Sequence, residues 1–135
     1  MNFEEQLKKG NIKKIPKDDL RFRSLFKTSE ESLLAIKMIP LNEISSKTIM
    51  RELYEALREF VECIGFFHGY KFSNHISMVD FLNDFLKENL ISIKFNRYRR
   101  IRNDINYYGK NIDIETTKKA MIEIPEMIDK LKKHL

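Results

Sequence analysis

The sequence predicts an all-α fold, an antiparallel bundle of four to five helices. Two observations carry that prediction. Apolar residues recur at spacings of three and four instead of two, the period of a helix that buries one face. Only four glycines and three prolines interrupt 135 residues, so periodic segments are long and the gaps between them short. With 42% apolar and 33% charged residues spread along the chain, one core can form and a disordered chain is excluded.

Residues 1–19 are a basic lead-in that ends in KKGNIKKIPKDD, expected as one short helix or as a tail that orders on binding. The bundle domain spans 20–135. Phe22, Phe26, Leu33 and Ile36 mark a first long helix that stops before Pro40, because the residue ahead of a proline disfavours helical backbone. Met50, Leu53, Leu57, Phe60 and Ile64 line one face of a second helix, from about Ser46 to Phe67. Gly69 breaks it, and Ser73 or Asn74 can cap the next. That third helix, HISMVDFLNDFLKEN, turns Met78, Phe81, Leu82 and Phe85 inward. A fourth runs from about Ile91 to Tyr108, with Tyr98, Ile101, Ile105 and Tyr108 as its buried stripe and Gly109 as its left-handed end. Asp113 caps a fifth, in which Ile114, Met121, Ile124, Ile128, Leu131 and Leu135 keep the register and Pro125 removes one hydrogen bond.

Composition narrows the function classes. Cys63 is the single cysteine, which excludes an internal disulfide and a cysteine-only zinc site, and it reads as packing. The opening MNFEEQLKKG carries acids where a signal peptide needs an apolar run, and no stretch approaches the roughly 18 apolar residues of a membrane span, so a cytoplasmic protein with no membrane role is expected. His68, His75 and His134 have no carboxylate partner at a recognised ligand spacing, so no metal and no cofactor is expected. A formal charge of +5 favours an anionic partner.

The charge concentrates in RRIRNDINYYGK, residues 99–110. A helix turns about 100° per residue, which sets Arg99, Arg102, Asn103 and Asn106 together, away from the apolar stripe. Guanidinium forks bind phosphate, and Tyr107 offers a ring on which a base can stack. Lys94 and Arg97 extend the run, so residues 94–102 hold five basic groups and no acid. The second helix carries Arg51, Glu55, Arg58 and Glu62 at helix-neighbour spacings. Two readings of that stripe stay open: a self-satisfied solvated face, or a wall that supports the arginines across a groove.

YEALREFVECIGFFHGYKFSNH (54–75) together with RNDINYYG (102–109) resembles the HEPN domain family, the higher eukaryotes and prokaryotes nucleotide-binding domain. Tyr54, Glu55, Arg58 and Glu62 form one signature; Gly69-Tyr70-Lys71, His75 and the Arg102-Asn103 pair follow in order, and the likeness covers about residues 20 to 135. The resemblance implies a small helical bundle that dimerises and is often encoded beside a minimal nucleotidyltransferase in toxin–antitoxin or defence modules. In many members it also implies RNA cleavage without a metal. Those nucleases complete an Arg-x(4–6)-His motif, whereas Arg102 is followed by Asn103, Asp104, Ile105, Asn106, Tyr107, Tyr108 and Gly109. Without the imidazole no group in that window has a pKa near neutrality to take a 2′-hydroxyl proton. The chain therefore resembles the non-nucleolytic branch: an RNA- or nucleotide-binding module using Arg99, Arg102, Asn103, Asn106 and Tyr107, with Glu55, Arg58, Glu62 and His75 supporting the groove. The alternatives are a metal-independent endoribonuclease, with Arg102 on the phosphate and His75 as base, and a helical adaptor with no nucleic-acid role. Phe66, Phe67 and Tyr107, read as lying outside the core, are expected to bury against a second copy in a homodimer.

Overall fold

The computed structural model describes all of residues 1–135. Its elements are α1 (Phe3–Lys9), β1 (Ile12–Lys14), α2 (Asp19–Ile36), α3 (Ser46–His68), β2 (Tyr70–Phe72), α4 (Ile76–Asp80), α5 (Asn89–Tyr108) and α6 (Ile114–Leu131). Helix α3 is the axis. Its apolar positions run beyond one stripe, so that Ile49, Leu53, Tyr54, Ala56, Leu57, Phe60, Val61, Cys63 and Ile64 are all buried, and a helix apolar on several sides must be enclosed by others.

The enclosing helices are oriented by their side-chain bonds. Ser29 Oγ donates to the Ala56 carbonyl at 2.8 Å and Cys63 Sγ to that of Phe22 at 3.4 Å, so numbers fall on α2 as they rise on α3 and the two are antiparallel. Helix α6 runs with α3: Ser46 and Thr117 hydroxyls meet at 2.7 Å at one end, and His68 Nε2 meets the His134 carbonyl at 2.8 Å at the other. Helix α5 opposes α6, since Arg97 meets Glu123 while Glu88, just before α5, meets His134. The four long helices thus alternate in direction along the chain, with α3 packed against the antiparallel α2 and the parallel α6. No helix is long and apolar enough to cross a membrane.

The residues outside that bundle fold differently from the sequence expectation. β1 pairs antiparallel with β2, Ile12 opposite Phe72 and Lys14 opposite Tyr70, so the lead-in contributes a short helix and also a strand. Ile12 is buried in the main core, and α1 is held to the rest by Gln6 Nε2 donating to Asp80 at 2.7 Å and the Phe3 amide donating to Asp84 at 2.8 Å. Alternation is too short over three residues to be read as a strand. The ribbon lies so close to α3 that a Cβ on Gly65 would stand 2.6 Å from Phe72 Cε2.

The third helix, expected over residues 75–89, is a single α-turn that widens into a π-helical turn at Phe81–Phe85, where the Leu86 amide reaches back to the Phe81 carbonyl at 3.0 Å. Asn74 Oδ1 accepts from the Ser77 amide at 2.8 Å, the cap that the sequence offers. Widening stacks Phe81 on Phe85, whose rings lie 5.1 Å apart, and Lys87 ends the segment in the left-handed region at a φ of 61°. Three burial expectations are corrected. Phe85, expected inward, is exposed: the π-turn sets its ring at the edge of the core, against Phe3, His68 and Tyr70. Phe66 is buried, because its position on α3 faces the N-terminal segment of α2, where Arg21 lies over its ring. Tyr108, expected inside, is exposed: it is the final residue of α5, past Ile105, the last buried position of that helix. Asp113 caps α6 as expected, accepting from the Thr116 amide at 2.7 Å.

Candidate functional site

On α3 the residues Glu55, Arg58 and Glu62 are set on one line by their spacing of three and four. Arg58 bridges both acids, with Nη2 to Glu55 Oε2 at 2.7 Å and Nη1 to Glu62 Oε1 at 2.9 Å. Burial works against ionisation of Glu55, but the hydrogen bonds and charge of Arg58, joined by the charge of Arg102, outweigh it and hold the carboxyl below its ordinary range. Burial likewise opposes the charge on Arg58, and its hydrogen bonds to Glu55 and attraction to Glu62 overcome it.

Helix α5 crosses this line at Arg102. Its guanidinium stands 5.3 Å from the centre of the Tyr54 ring, within cation–π range, and Nη2 lies 3.7 Å from Glu55 Oε1. Nη1 donates to Asn103 Oδ1 at 3.1 Å. With a side chain only 17% exposed, Arg102 is set in place by its neighbours and is not a freely swinging surface group. The stripe of α3 therefore does both things left open by spacing: it satisfies itself and it supports an arginine of α5.

On the other side of Tyr54 sits His75. The phenol and Nδ1 are 3.0 Å apart. The buried Tyr54 hydroxyl has no other acceptor, so it donates to Nδ1, an arrangement that puts the ring proton on Nε2. Burial of Tyr54 raises its pKa well above the usual value against the pull of nearby arginines, so the hydroxyl keeps its proton. Burial, then the positive charges of Arg58 and Arg102, push the His75 pKa down to about 4, and the ring is neutral at pH 7.

These groups border one open cavity of about 420 Å³. Asn74, His75 and Ile76 form its α4 wall, and Arg99, Arg102, Asn103 and Tyr107 form its α5 wall. Of the residues the sequence singles out, Arg99, Arg102, Asn103, Tyr107 and His75 share this cavity, while Asn106 is exposed and does not border it. Glu55, Arg58 and Glu62 stand behind Arg102. Arg99 has no acidic partner; its Nε donates to Asn96 Oδ1 at 3.0 Å. Asn74 is the polar lining residue that sequence reading assigned only to capping.

The rest of the basic run goes elsewhere. Lys94 Nζ lies 3.1 Å from Glu123 Oε2, and Arg97 and the Tyr98 hydroxyl both donate to Glu123 Oε1. Burial opposes the Glu123 charge, and these donors more than restore it. Cys63 is buried, its thiol pushed up to about 12 by desolvation, and packs against α2. No group of three or more histidine, cysteine or acidic side chains is gathered closely enough to hold a metal ion. No protein-family model, curated protein or solved structure matches the chain.

Proposed function

We propose that the chain is a HEPN-like binding module whose α4–α5 groove holds the phosphate of RNA or of a nucleotide, acting as a homodimer beside a minimal nucleotidyltransferase and without cleaving RNA. One observation carries the reading: two guanidiniums, Arg99 without an acid and Arg102 braced by Tyr54 and Glu55, line one groove together with the exposed Tyr107 ring. A braced arginine loses little side-chain freedom on meeting phosphate, and an aromatic beside it suits a stacked base. The state of His75 supports binding over cleavage. Its Nδ1 is engaged by Tyr54 and its basicity is lowered, so the imidazole is a poor proton acceptor at neutral pH.

The test is titration of single-stranded RNA into the protein over a range of salt. Binding should weaken steeply with salt, and Arg102→Ala should cut affinity about tenfold and lower the salt slope by about one phosphate's share. The RNA should come through intact. Loss of salt-dependent binding altogether, or cleavage abolished by Arg102→Ala, defeats the reading.

A further inference from the structure

The polar lining of the α4–α5 groove is unusual in its direction. Apart from the exposed Tyr107 hydroxyl, every side-chain acceptor that lines it already has a donor. Asn74 Oδ1 faces the Ser77 amide and Asn103 Oδ1 faces the Arg102 guanidinium, partners that can only donate, so both amide NH₂ groups are turned the other way. His75 Nδ1 is taken by the Tyr54 hydroxyl, which leaves Nε2–H as its remaining polar atom. The Glu55 carboxylate behind Arg102 is occupied by the bidentate Arg58, at 3.2 and 2.7 Å. What remains free beside the Tyr107 hydroxyl is therefore a set of donors: the guanidinium N–H groups of Arg99 and Arg102 that Asn96, Asn103 and Glu55 do not use, two amides and one imidazole N–H.

A base edge presents donors as well as acceptors, and an internal phosphodiester presents two acceptor oxygens and one charge. A terminal phosphate monoester presents three acceptor oxygens and nearly two charges. We infer that this groove is a receptor for a terminal phosphate monoester, the 5′-phosphate of an RNA end or of a free nucleotide, in preference to an internal phosphodiester. The inference rests on the phosphate-binding reading above and narrows it to one chemical class. Asn74, His75 and Asn103 then serve as neutral donors around the oxygens that the guanidiniums attract, with the Tyr107 ring beside the attached nucleoside.

The experiment compares a short single-stranded RNA bearing a 5′-phosphate with the same RNA bearing a 5′-hydroxyl. The phosphorylated form should bind at least about tenfold tighter at pH 7.5. That advantage should shrink as pH falls below about 6, where the monoester takes up a proton. The charged and titratable groups facing His75 are Tyr54, Glu55, Arg58, Arg99 and Arg102; burial keeps the Tyr54 hydroxyl protonated, Arg58 keeps the Glu55 carboxylate ionised, and His75 titrates below this window. Asn103→Ala should lower affinity for the phosphorylated RNA about fivefold and move the hydroxyl form less than about twofold, with thermal unfolding as the check that it folds. Competition by AMP but not adenosine identifies the free nucleotide as a sufficient ligand, and its failure assigns the site to the RNA end; both support the monoester. Equal, salt-dependent affinity for the two RNAs overturns the inference and leaves phosphate binding standing. Binding of neither overturns both.

Discussion

The two halves of α5 carry the same residue types and use them for opposite purposes. In the first half Lys94, Arg97 and Tyr98 converge on one acid, Glu123, whose side chain is only 14% exposed. In the second half Arg99 has no acid and Arg102 has only Glu55, a carboxylate already held by Arg58. The first cluster is an anchor between α5 and α6. The second is an open face. Helix phase makes the difference: Lys94, Arg97 and Tyr98 look toward α6, whereas Arg99 and Arg102 look toward α4 and α3. A basic run read along a sequence is one feature; folded, it divides according to where the acids stand.

Breaking the anchor should have the largest effect. Glu123→Ala leaves three donors without their acceptor and is expected to lower stability by about 2–3 kcal/mol, seen as a fall of about 6–12 °C in thermal midpoint. Its RNA affinity should not fall, because the groove is untouched and a negative charge is lost. A weaker thermal effect than that of Arg102→Ala would erase the distinction between the halves. For Arg102→Ala the expected stability loss is about 1 kcal/mol, since Glu55 keeps Arg58 as its partner, beside the tenfold loss of binding. The spacing argument alone makes Arg102 a surface residue of no structural weight; its burial against Tyr54 corrects that.

The neutral His75 adds a pH signature to the open face. Its folded pKa, about 4, lies below the unfolded value near 6.5, so the unfolded chain binds more protons between the two. Stability from this group is whole above about pH 6.5 and is lost as pH falls toward 4, by about 1–2 kcal/mol once solvent screening at a half-exposed site is counted. Urea unfolding at stepwise pH should show that slope, and His75→Gln should flatten it while Glu123→Ala should not. The smallest effect is expected for Arg97→Ala. Its side chain is 46% exposed and Lys94 remains on Glu123, so RNA affinity should change less than about twofold and stability by less than about 1 kcal/mol.

Much of the bundle is legible in the sequence because its long helices are amphipathic over many turns and have chemical ends: Gly69 and Gly109 in the left-handed region, Asp113 as a cap. The β1–β2 ribbon and the π-turn are not. Three-residue strands carry no periodicity, and a helix that widens at Phe81–Phe85 keeps its apolar count while changing its hydrogen bonds. For the site, helix geometry brings Arg99, Arg102 and Asn103 together without any tertiary information. The Tyr54–His75 contact lies outside such reach, because it joins residues separated by 21 positions through a turn whose path depends on the ribbon. So does the role of Asn74, which looks like a cap and nothing more until Arg99 is seen opposite it.

The pairing of Ile12 with Phe72 has a consequence in time. A chain emerging from the ribosome exposes β1 well before its partner strand is made, so the first residues cannot reach their final place while α2 is being synthesised. They dock only after α3 and the turn at Gly69 exist. β1, although it precedes α2 in the sequence, is thus among the later parts to fold, and closing so long a loop makes that step slow compared with forming the neighbouring α2–α3 pair. The groove wall that begins at Asn74 follows directly on β2, so the face that we assign to phosphate adjoins a strand that is paired only once β1 has returned to meet it.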